Sequence, residues 1–204
     1  MINYHHSQHN EDYVIQQIFG RIKTSNKYFV EFGAGDGQTI SNTMVLRYDG
    51  WRGLLIEPGK WFNTNLPDVI CRSDFLTPGN IESVFKEAGV PEVLDFLSID
   101  IDGNDYYLWE ALNVYKPRVL LIEVDGYANT LEKLEPYGAE SNGPKSSISM
   151  MSKLCNKKGY SLIYNNGSNA FYINDKDYNH YFKPLPLTNW NEQFVATVDL
   201  FTGE

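Results

Sequence analysis

The 204-residue chain has little cysteine, little positive charge and no long apolar run, and each shortage excludes a class of protein. Two cysteines, Cys71 and Cys155, are too few for a disulfide framework or a zinc cluster. Seventeen Lys and Arg against 26 Asp and Glu give a net charge of -9, which argues against a general binder of nucleic acids or anionic membranes. No apolar run approaches the ~18 residues of a membrane span, and MINYHHSQHN lacks the features of a signal peptide. We therefore expect a cytoplasmic protein with no membrane span and no nucleic-acid partner.

Short apolar segments alternate with segments of helical spacing along the chain. Helical spacing begins at EDYVIQQIFGRIK (11–23) and recurs between the strand-like segments, with a helix predicted at GQTISNTMVLRYD (37–49) and a short one at KWFNTNL (60–66). YSLIYNN and AFYIN predict a closing hairpin through Gly167. Five strands are predicted before that hairpin: YFVEF (28–32), WRGLLIEP (51–58), VICRSDF (69–75), VLDFLSIDI (93–101) and RVLLIEVDG (118–126). The pattern predicts a doubly wound α/β domain with a mostly parallel sheet, helices on both faces and an antiparallel pair at the end.

Acidic residues stand at the end of every predicted parallel strand. Glu31 lies inside the first strand and Glu57 closes the second; the other three strands end in Asp74, in Asp100 and Asp102, and in Glu123 and Asp125. Some of these acids could be helix N-caps or turn residues. Ionised carboxylates are costly to bury unpaired, however, and ligands of such sheets bind at the carboxyl ends of the strands. The series therefore predicts a binding site at that edge.

The loop after the first strand carries the glycines Gly33, Gly35 and Gly37. Their G-x-G-x-G spacing lacks the third glycine of the G-x-G-x-x-G dinucleotide fingerprint. An adenosine ligand with a charged amino-acid tail and no phosphate fits better, because bare glycines let the backbone approach that tail. S-adenosylmethionine matches each acid with a donor or a cation. We expect Glu31 to face its positive charges, Glu57 to accept the ribose hydroxyls, and Asp74 with Phe75 to contact the adenine; Asp36, Pro58 and Asp100 complete the predicted contact set.

The chain resembles the FkbM-type family of S-adenosylmethionine-dependent methyltransferases over nearly its whole length. The residues that carry the resemblance are SQHNED (7–12), FVEFGAGDGQTISNT (29–43), GWRGLLIEP (50–58), FLSIDIDGND (96–105) and KSSISMMSKLCNKKGYSLIYNNGSNAFYI (145–173). The resemblance implies a class I methyltransferase fold, a Rossmann-like three-layer sandwich with a seven-stranded sheet. It also implies methylation of hydroxyl oxygens of sugars or natural products, with cofactor contacts at Glu31, Gly33, Gly35, Glu57, Asp74 and Asp100. Members often have Glu where this chain has Asp102.

Methyl transfer to a hydroxyl oxygen requires a base, or a metal that lowers the pKa of the hydroxyl. Asp100, Asp102 and Glu123 come from neighbouring strand ends, and three carboxylates would suit Mg²⁺. The alternative leaves Asp100 to the cofactor and the other two to loop amides. Without a metal, the base would be Asp102 or a histidine of the leading YHHSQHN segment, of which we favour His6.

We expect a single methyltransferase domain over 1–204, with an N-terminal cap and helix (1–27), a core (28–175) and a C-terminal extension (176–204). The loop 127–146 is long enough to form a lid, and Lys145 near its end could meet an anionic group of the acceptor. The extension could pack across the sheet edge or against a second subunit, as in a homodimer.

The sequence thus favours an S-adenosylmethionine-dependent O-methyltransferase. Its acceptor would be a hydroxyl or phosphate-type oxygen of a carbohydrate-type small molecule, such as a surface-polysaccharide precursor. Two alternatives stay open. One is a methyltransferase-like domain that binds without turnover. The other is a nicotinamide-dependent oxidoreductase or epimerase, disfavoured by the glycine spacing and the lack of an obvious Tyr-x-x-x-Lys pair.

Overall fold

A computed structural model describes residues 6–59, 68–127, 132–134, 136–138 and 145–182, and the backbone of 195–196. The strands within those ranges are β1 (Tyr28–Phe32), β2 (Arg52–Ile56), β3 (Val69–Arg72), β4 (Val93–Ile99), β5 (Lys116–Glu123), β6 (Tyr160–Asn165), β7 (Asn169–Asn174) and β8 (Val195–Ala196). The helices are α1 (Glu11–Ile22), α2 (Met44–Tyr48), α3 (Ile81–Glu87), α4 (Asp105–Ala111), α5 (Ile148–Lys157) and α6 (Asp175–Tyr181).

All described strands belong to one sheet in the order β3-β2-β1-β4-β5-β7-β6-β8. The pairs among β1 to β5 are parallel, whereas β7 is antiparallel to both β5 and β6. The predicted class I methyltransferase fold, mostly parallel with an antiparallel closing hairpin, is confirmed. The two-residue β8 adds an edge strand beside β6 that the sequence did not predict. Because the strand order reverses between β1 and β4, a ligand crevice is expected at their carboxyl ends.

Each face of the sheet is covered by its own apolar core, which makes the three layers. In β1, Val30 and Phe32 pack on one side and Phe29 on the other, because successive side chains of a strand point to opposite faces. Helices α3, α4 and α5 cover the first face, and α1, α2 and α6 cover the second. Full burial of one such apolar side chain contributes roughly 1.5–3 kcal/mol, so the two cores hold the strand ends in fixed positions.

Several elements are shorter than the sequence predicted. The helix expected over 37–49 covers only Met44–Tyr48, and β3 and β4 stop three and two residues earlier than predicted, at Arg72 and Ile99. The acids at these strand ends therefore lie on loops just beyond the sheet. Helix α6 was not predicted, and the short helix expected at KWFNTNL lies outside the described residues. No helix in the described part of the chain is both long and apolar enough to cross a membrane.

Candidate active site

A cavity of about 610 Å³ lies along the carboxyl ends of β1 to β5. It is bordered by residues that end or follow each of these five strands, at the edge of the sheet where the acid series predicted a site. Seven of the nine predicted cofactor residues line it, namely Gly33, Gly35, Glu57, Pro58, Asp74, Phe75 and Asp100. Asp102 and Glu123 line it as well, whereas Glu31, Asp36 and His6 do not belong to its wall.

The glycine loop turns sharply out of β1 into this cavity. Gly33, Gly35 and Gly37 have φ values of 67°, 53° and 75°, in the left-handed region that favours glycine. A side-chain carbon on Gly33 would overlap the backbone carbonyl of Asp100, which follows the adjacent β4. The same carbon on Gly35 would meet no atom within 4 Å. The protein's own backbone therefore requires Gly33, while the space beside Gly35 is open to a ligand.

Glu57 links the end of β2 to the glycine loop. Its Oε2 accepts a hydrogen bond from the Gly35 amide at 3.1 Å, and its Oε1 accepts a longer one from Gly59 at 3.4 Å. Each carboxylate oxygen has a further lone pair, so the half-buried group can still accept two hydroxyl donors. Glu57 is thereby fixed by the loop and remains available to a diol.

Aromatic and aliphatic surface is exposed at the β3 end of the cavity. Phe75 is 71% exposed and Ile40 is 58% exposed, although both line the cavity. The neighbouring Asp74 accepts hydrogen bonds from Arg72 at 2.6 and 3.1 Å, and the first of these bonds holds the pKa of Asp74 below its usual value. Large exposed apolar groups beside a fixed carboxylate suit a flat heteroaromatic ring with an exocyclic amino group.

Glu31 is buried in β1 and holds the loop that precedes α2. Its carboxylate accepts hydrogen bonds from the Ser41 hydroxyl at 2.9 Å, the Asn42 amide at 2.8 Å and the Thr43 hydroxyl. Burial raises the pKa of Glu31, although these three hydrogen bonds oppose the shift. Glu31 thus anchors loop 41–43, and its contact with the cofactor's positive charges, directly or through water, stays a prediction.

Asp36 and His6 also have local roles. Asp36 accepts hydrogen bonds from the amides of Gln38 at 2.8 Å and Thr39 at 2.7 Å; the Thr39 amide contributes most to lowering its pKa. The His6 amide donates to Asp12 at 2.9 Å, and its ring centroid lies 5.5 Å from that of Tyr48.

From the same leading segment, Gln8 is the residue that lines the cavity. His5 lies outside the described residues. The sequence makes Ser7, Gln8 and Asp12 candidates for shaping the pocket rather than for catalysis, and of these Gln8 lines the cavity.

The magnesium hypothesis finds no support in the structure, because an amine lies among the three carboxylates. Lys145 Nζ donates to Glu123 Oε2 and lies 3.3 Å from Asp102 Oδ1. In the described part of the chain, no group of three or more His, Cys, Asp and Glu side chains has an arrangement that could hold a metal ion. Burial alone would lower the pKa of Lys145, but the Glu123 hydrogen bond and nearby carboxylates outweigh it, so the pKa is raised. The ammonium group therefore supplies the positive charge that the metal was expected to supply.

Asp100 is the most perturbed carboxyl group of the site. Burial, followed by repulsion from Glu123, raises its pKa to about 7, and the Lys145 ammonium offsets only part of this. The pKa of Glu123 is raised too, chiefly by burial. A carboxyl group with a pKa near neutrality can both accept and release a proton under ordinary conditions.

A turn between β4 and α4 positions Asp102. Asp102, Gly103 and Asn104 all have positive φ values (58°, 131° and 69°), which is uncommon for residues other than glycine. The buried Asp105 carboxylate braces the turn by accepting from the amides of Ile101 and Gly103, each at 3.1 Å. The sequence did not single out Asp105, although its place at the start of a helical pattern was a signal for such a role. The turn leaves the Asp102 side chain 66% exposed at the cavity.

Comparisons with known proteins support the fold. No protein-family model matches the chain, and no curated protein matches it. Among solved structures, the O-methyltransferase from Bacillus cereus in complex with S-adenosylhomocysteine (SAH) is 18% identical, covering 84% of this chain and 82% of that one, with a TM-score of 0.52. Magnesium protoporphyrin IX methyltransferase from Synechocystis PCC 6803, with bound SAH, is 11% identical, covering 80% and 82% at a TM-score of 0.49. At these identities the likeness concerns the fold.

Proposed function

We propose that the chain is an S-adenosylmethionine-dependent methyltransferase whose cofactor lies across the strand ends. The observation that carries the proposal is the single cavity bordered by an ordered series of acids and bare glycines after five adjacent strands. Strands are spaced about 4.8 Å apart, so the ends of β3 to β5 span about 19 Å. That length accommodates an adenosine, an amino-acid tail and an acceptor side by side.

The residues present fit this cofactor in order along the edge. Phe75 offers its exposed ring to the adenine, and Asp74 offers a carboxylate to the adenine amino group. Glu57, fixed by the Gly35 amide, is placed to accept the ribose hydroxyls. The open space beside Gly35 suits the amino-acid tail. Glu31 contributes at least the anchoring of loop 41–43 to β1.

The acceptor would lie at the remaining end, beside Asp100, Asp102 and Lys145. When bound, S-adenosylmethionine supplies an electrophilic methyl group for in-line displacement. The protein must align an acceptor oxygen with it, and such positioning can contribute ~7–11 kcal/mol. The Lys145 ammonium can donate to the acceptor oxygen, while Asp100 or Asp102 accepts the hydroxyl proton. Asp100 has the better-suited pKa, and Asp102 is the more exposed to the cavity.

The finer parts of the proposal are supported by the sequence. Membership of the FkbM-type family depends on the quoted motifs. Transfer to oxygen, and a carbohydrate-type acceptor such as a surface-polysaccharide precursor, follow from that resemblance and agree with a carboxylate-rich wall, since carboxylates accept hydrogen bonds from hydroxyl groups. The division into cap, core and extension, the cytoplasmic location and the homodimer stay predictions.

Calorimetric titration with SAH, with NAD as the comparison ligand, tests the proposal. We expect micromolar binding of SAH and none of NAD. Glu57→Gln should weaken SAH binding about 10- to 100-fold, since a hydrogen bond to a charged group contributes about 1.5–3 kcal/mol. Asp49→Asn is the matched control, because the Asp49 side chain is 76% exposed and far from the cavity wall. Absence of SAH binding by the folded protein would contradict the proposal, and binding of NAD alone would favour the oxidoreductase.

A further inference from the structure

A second large cavity, of about 810 Å³, lies at the opposite edge of the sheet. Val93 and Lys116, the first residues of β4 and β5, line it, whereas the last residues of these strands lie at the candidate active site. Strands of seven and eight residues at about 3.3 Å per residue separate the two edges by about 20 Å. This basal groove is therefore a distinct site, and its ligand cannot be the group that receives the methyl.

The acids at the basal groove are already bound by one arginine. Arg118 Nε donates to Asp177 at 2.9 Å, and its Nη1 donates to the fully buried Asp95 at 3.0 Å. Nη2 donates to the second oxygen of Asp177 at 3.0 Å, and the remaining two guanidinium hydrogens are directed to the carbonyls of Lys23 at 2.8 Å and Ile22 at 3.3 Å, at the end of α1. Asp95 also accepts from the amides of residues 25 to 27. Asp95 is enclosed by these donors, whereas the charge of Asp177, held mainly by Arg118, also attracts Lys176.

Three further lysines line the same groove, and none of them has a salt-bridge partner among the described residues. Lys23, Lys116 and Lys176 are exposed, and none forms a salt bridge with any residue that the structure describes. Arg118 with its two acids carries one net negative charge, so the groove as a whole keeps two positive charges. The chain around it has a net charge of -9. Because charges are screened over about 8 Å at physiological ionic strength, the lysines determine the potential inside the groove.

The positive charge of Lys116 also acts on a neighbouring amine, that of Lys158. Lys158 donates to the Leu112 carbonyl at 2.8 Å and lies over the Trp109 ring. Burial, followed by repulsion from Lys116, lowers its pKa to about 8. The positive charge of Lys116 therefore reaches Lys158, although Cys155, Glu110 and Glu82 act in the opposite direction.

We propose that the basal groove binds the phosphate group of a small phosphorylated molecule. Three ammonium groups on flexible stems, from α1, β5 and α6, can converge on a multiply charged tetrahedral anion as point charges. A single carboxylate would satisfy fewer of them. Tyr181, which is 38% exposed, and Val93, which is 54% exposed, offer apolar surface for the rest of the ligand.

Titration with inorganic phosphate, pyrophosphate and ADP at constant ionic strength tests the proposal. Binding is followed by amide chemical shifts in the ¹⁵N-labelled full chain, with chloride as the reference anion. We expect saturable shifts at Lys23, Lys116 and Lys176, with pyrophosphate stronger than phosphate. A further gain with ADP would indicate a phosphorylated metabolite, whereas equal affinity for ADP and pyrophosphate would indicate the anion alone.

Two matched double variants distinguish a specific phosphate-binding site from non-specific electrostatic attraction of the anion. Lys116→Gln/Lys176→Gln should weaken pyrophosphate binding about tenfold or more, because each removes a full charge close to the anion. Lys86→Gln/Lys157→Gln removes the same charge from exposed positions elsewhere and should leave the affinity unchanged. Equal losses in both variants, or shifts that never saturate in the wild type, would overturn the proposal. Failure of SAH binding would leave this test untouched, because the two sites are at opposite edges.

Discussion

Gly33 lies against the backbone carbonyl of Asp100, so closely that a side-chain carbon at position 33 would overlap that oxygen. Two residues further on, Gly35 faces open space in the candidate active site. Both glycines have positive φ values, yet one is required by contact between neighbouring strand ends and the other by the cavity. Of these two, Gly35 agrees with the expectation of a glycine left bare for a ligand, whereas Gly33 is required by the protein's own backbone.

Alanine substitutions should separate these two roles. Gly33→Ala adds a steric clash to the left-handed backbone cost and should destabilise the protein by about 3 kcal/mol or more. Gly35→Ala should cost only ~1–2 kcal/mol, since its Cβ would meet nothing, but it should weaken SAH binding by filling the cavity. Urea unfolding and SAH titration measure the two effects. Equal destabilisation by both substitutions would contradict the assignment.

Glu31 should behave as a structural residue. In Glu31→Leu, the Asn42 amide and the hydroxyls of Ser41 and Thr43 lose their acceptor, because all three donate to the native carboxylate. An unsatisfied buried group costs about 1–3 kcal/mol, so unfolding should occur at lower urea while SAH affinity changes by less than about threefold. A large loss of affinity with unchanged stability would instead support direct contact between Glu31 and the cofactor.

Phe75 should show the opposite behaviour. Because its ring is 71% exposed, Phe75→Ala should change the free energy of unfolding by less than about 0.5 kcal/mol. Stacking of a base on an aromatic ring contributes about 1–3 kcal/mol, so SAH affinity should fall roughly 5- to 150-fold. Tyr127→Ala is the control, since Tyr127 is similarly exposed (64%) and does not line the cavity. Unchanged SAH affinity in Phe75→Ala would place the adenine elsewhere.

The sheet was predictable from the sequence because its strands carry strong local signals. YFVEF is buried at every position, and the acid series marked the edge where the cavity lies. The ends of β3 and β4 were predicted too late, because the strand-like sequence pattern runs on to Asp74 and Asp100. The backbone pairing with neighbouring strands ends before these two residues. Their side chains reach the cavity from short loops, which periodicity does not distinguish from a strand.

The partners of the site residues could not be predicted, because they depend on loops and on strand order. Glu31 suggested a ligand, but the donors to it are 10 to 12 residues away on an irregular loop. Lys145 meets Glu123 across 22 residues of sequence, which no local pattern specifies. The lysines of the basal groove stand at the ends of α1, β5 and α6, and these ends meet only in the assembled sheet.

Asp100 should make the stability of the ligand-free protein depend on pH. Its pKa is raised from 3.8 to about 7 in the folded state, so the folded protein holds this proton more tightly than the unfolded chain. The associated stabilisation is complete below about pH 4 and is lost as the pH rises towards 7. In Asp100→Asn the side chain stays neutral at every pH. We therefore expect the variant to match the wild type near pH 4 and to exceed it by on the order of 4 kcal/mol at pH 8.

Urea unfolding of the wild type and Asp100→Asn between pH 4 and 8 measures this difference. Asp49→Asn is the control: its position is mostly exposed, so its stability relative to the wild type should not change with pH. Glu123→Gln should give a smaller change of the same sign, because burial raises the pKa of Glu123 as well, while Lys145 partly compensates it. Methyl transfer by Asp100→Asn should nevertheless fall, since the neutral amide cannot accept a proton. If the stability difference between Asp100→Asn and the wild type were the same at pH 4 and pH 8, Asp100 would be an ordinary ionised carboxylate, and Asp102 would remain as the proton acceptor.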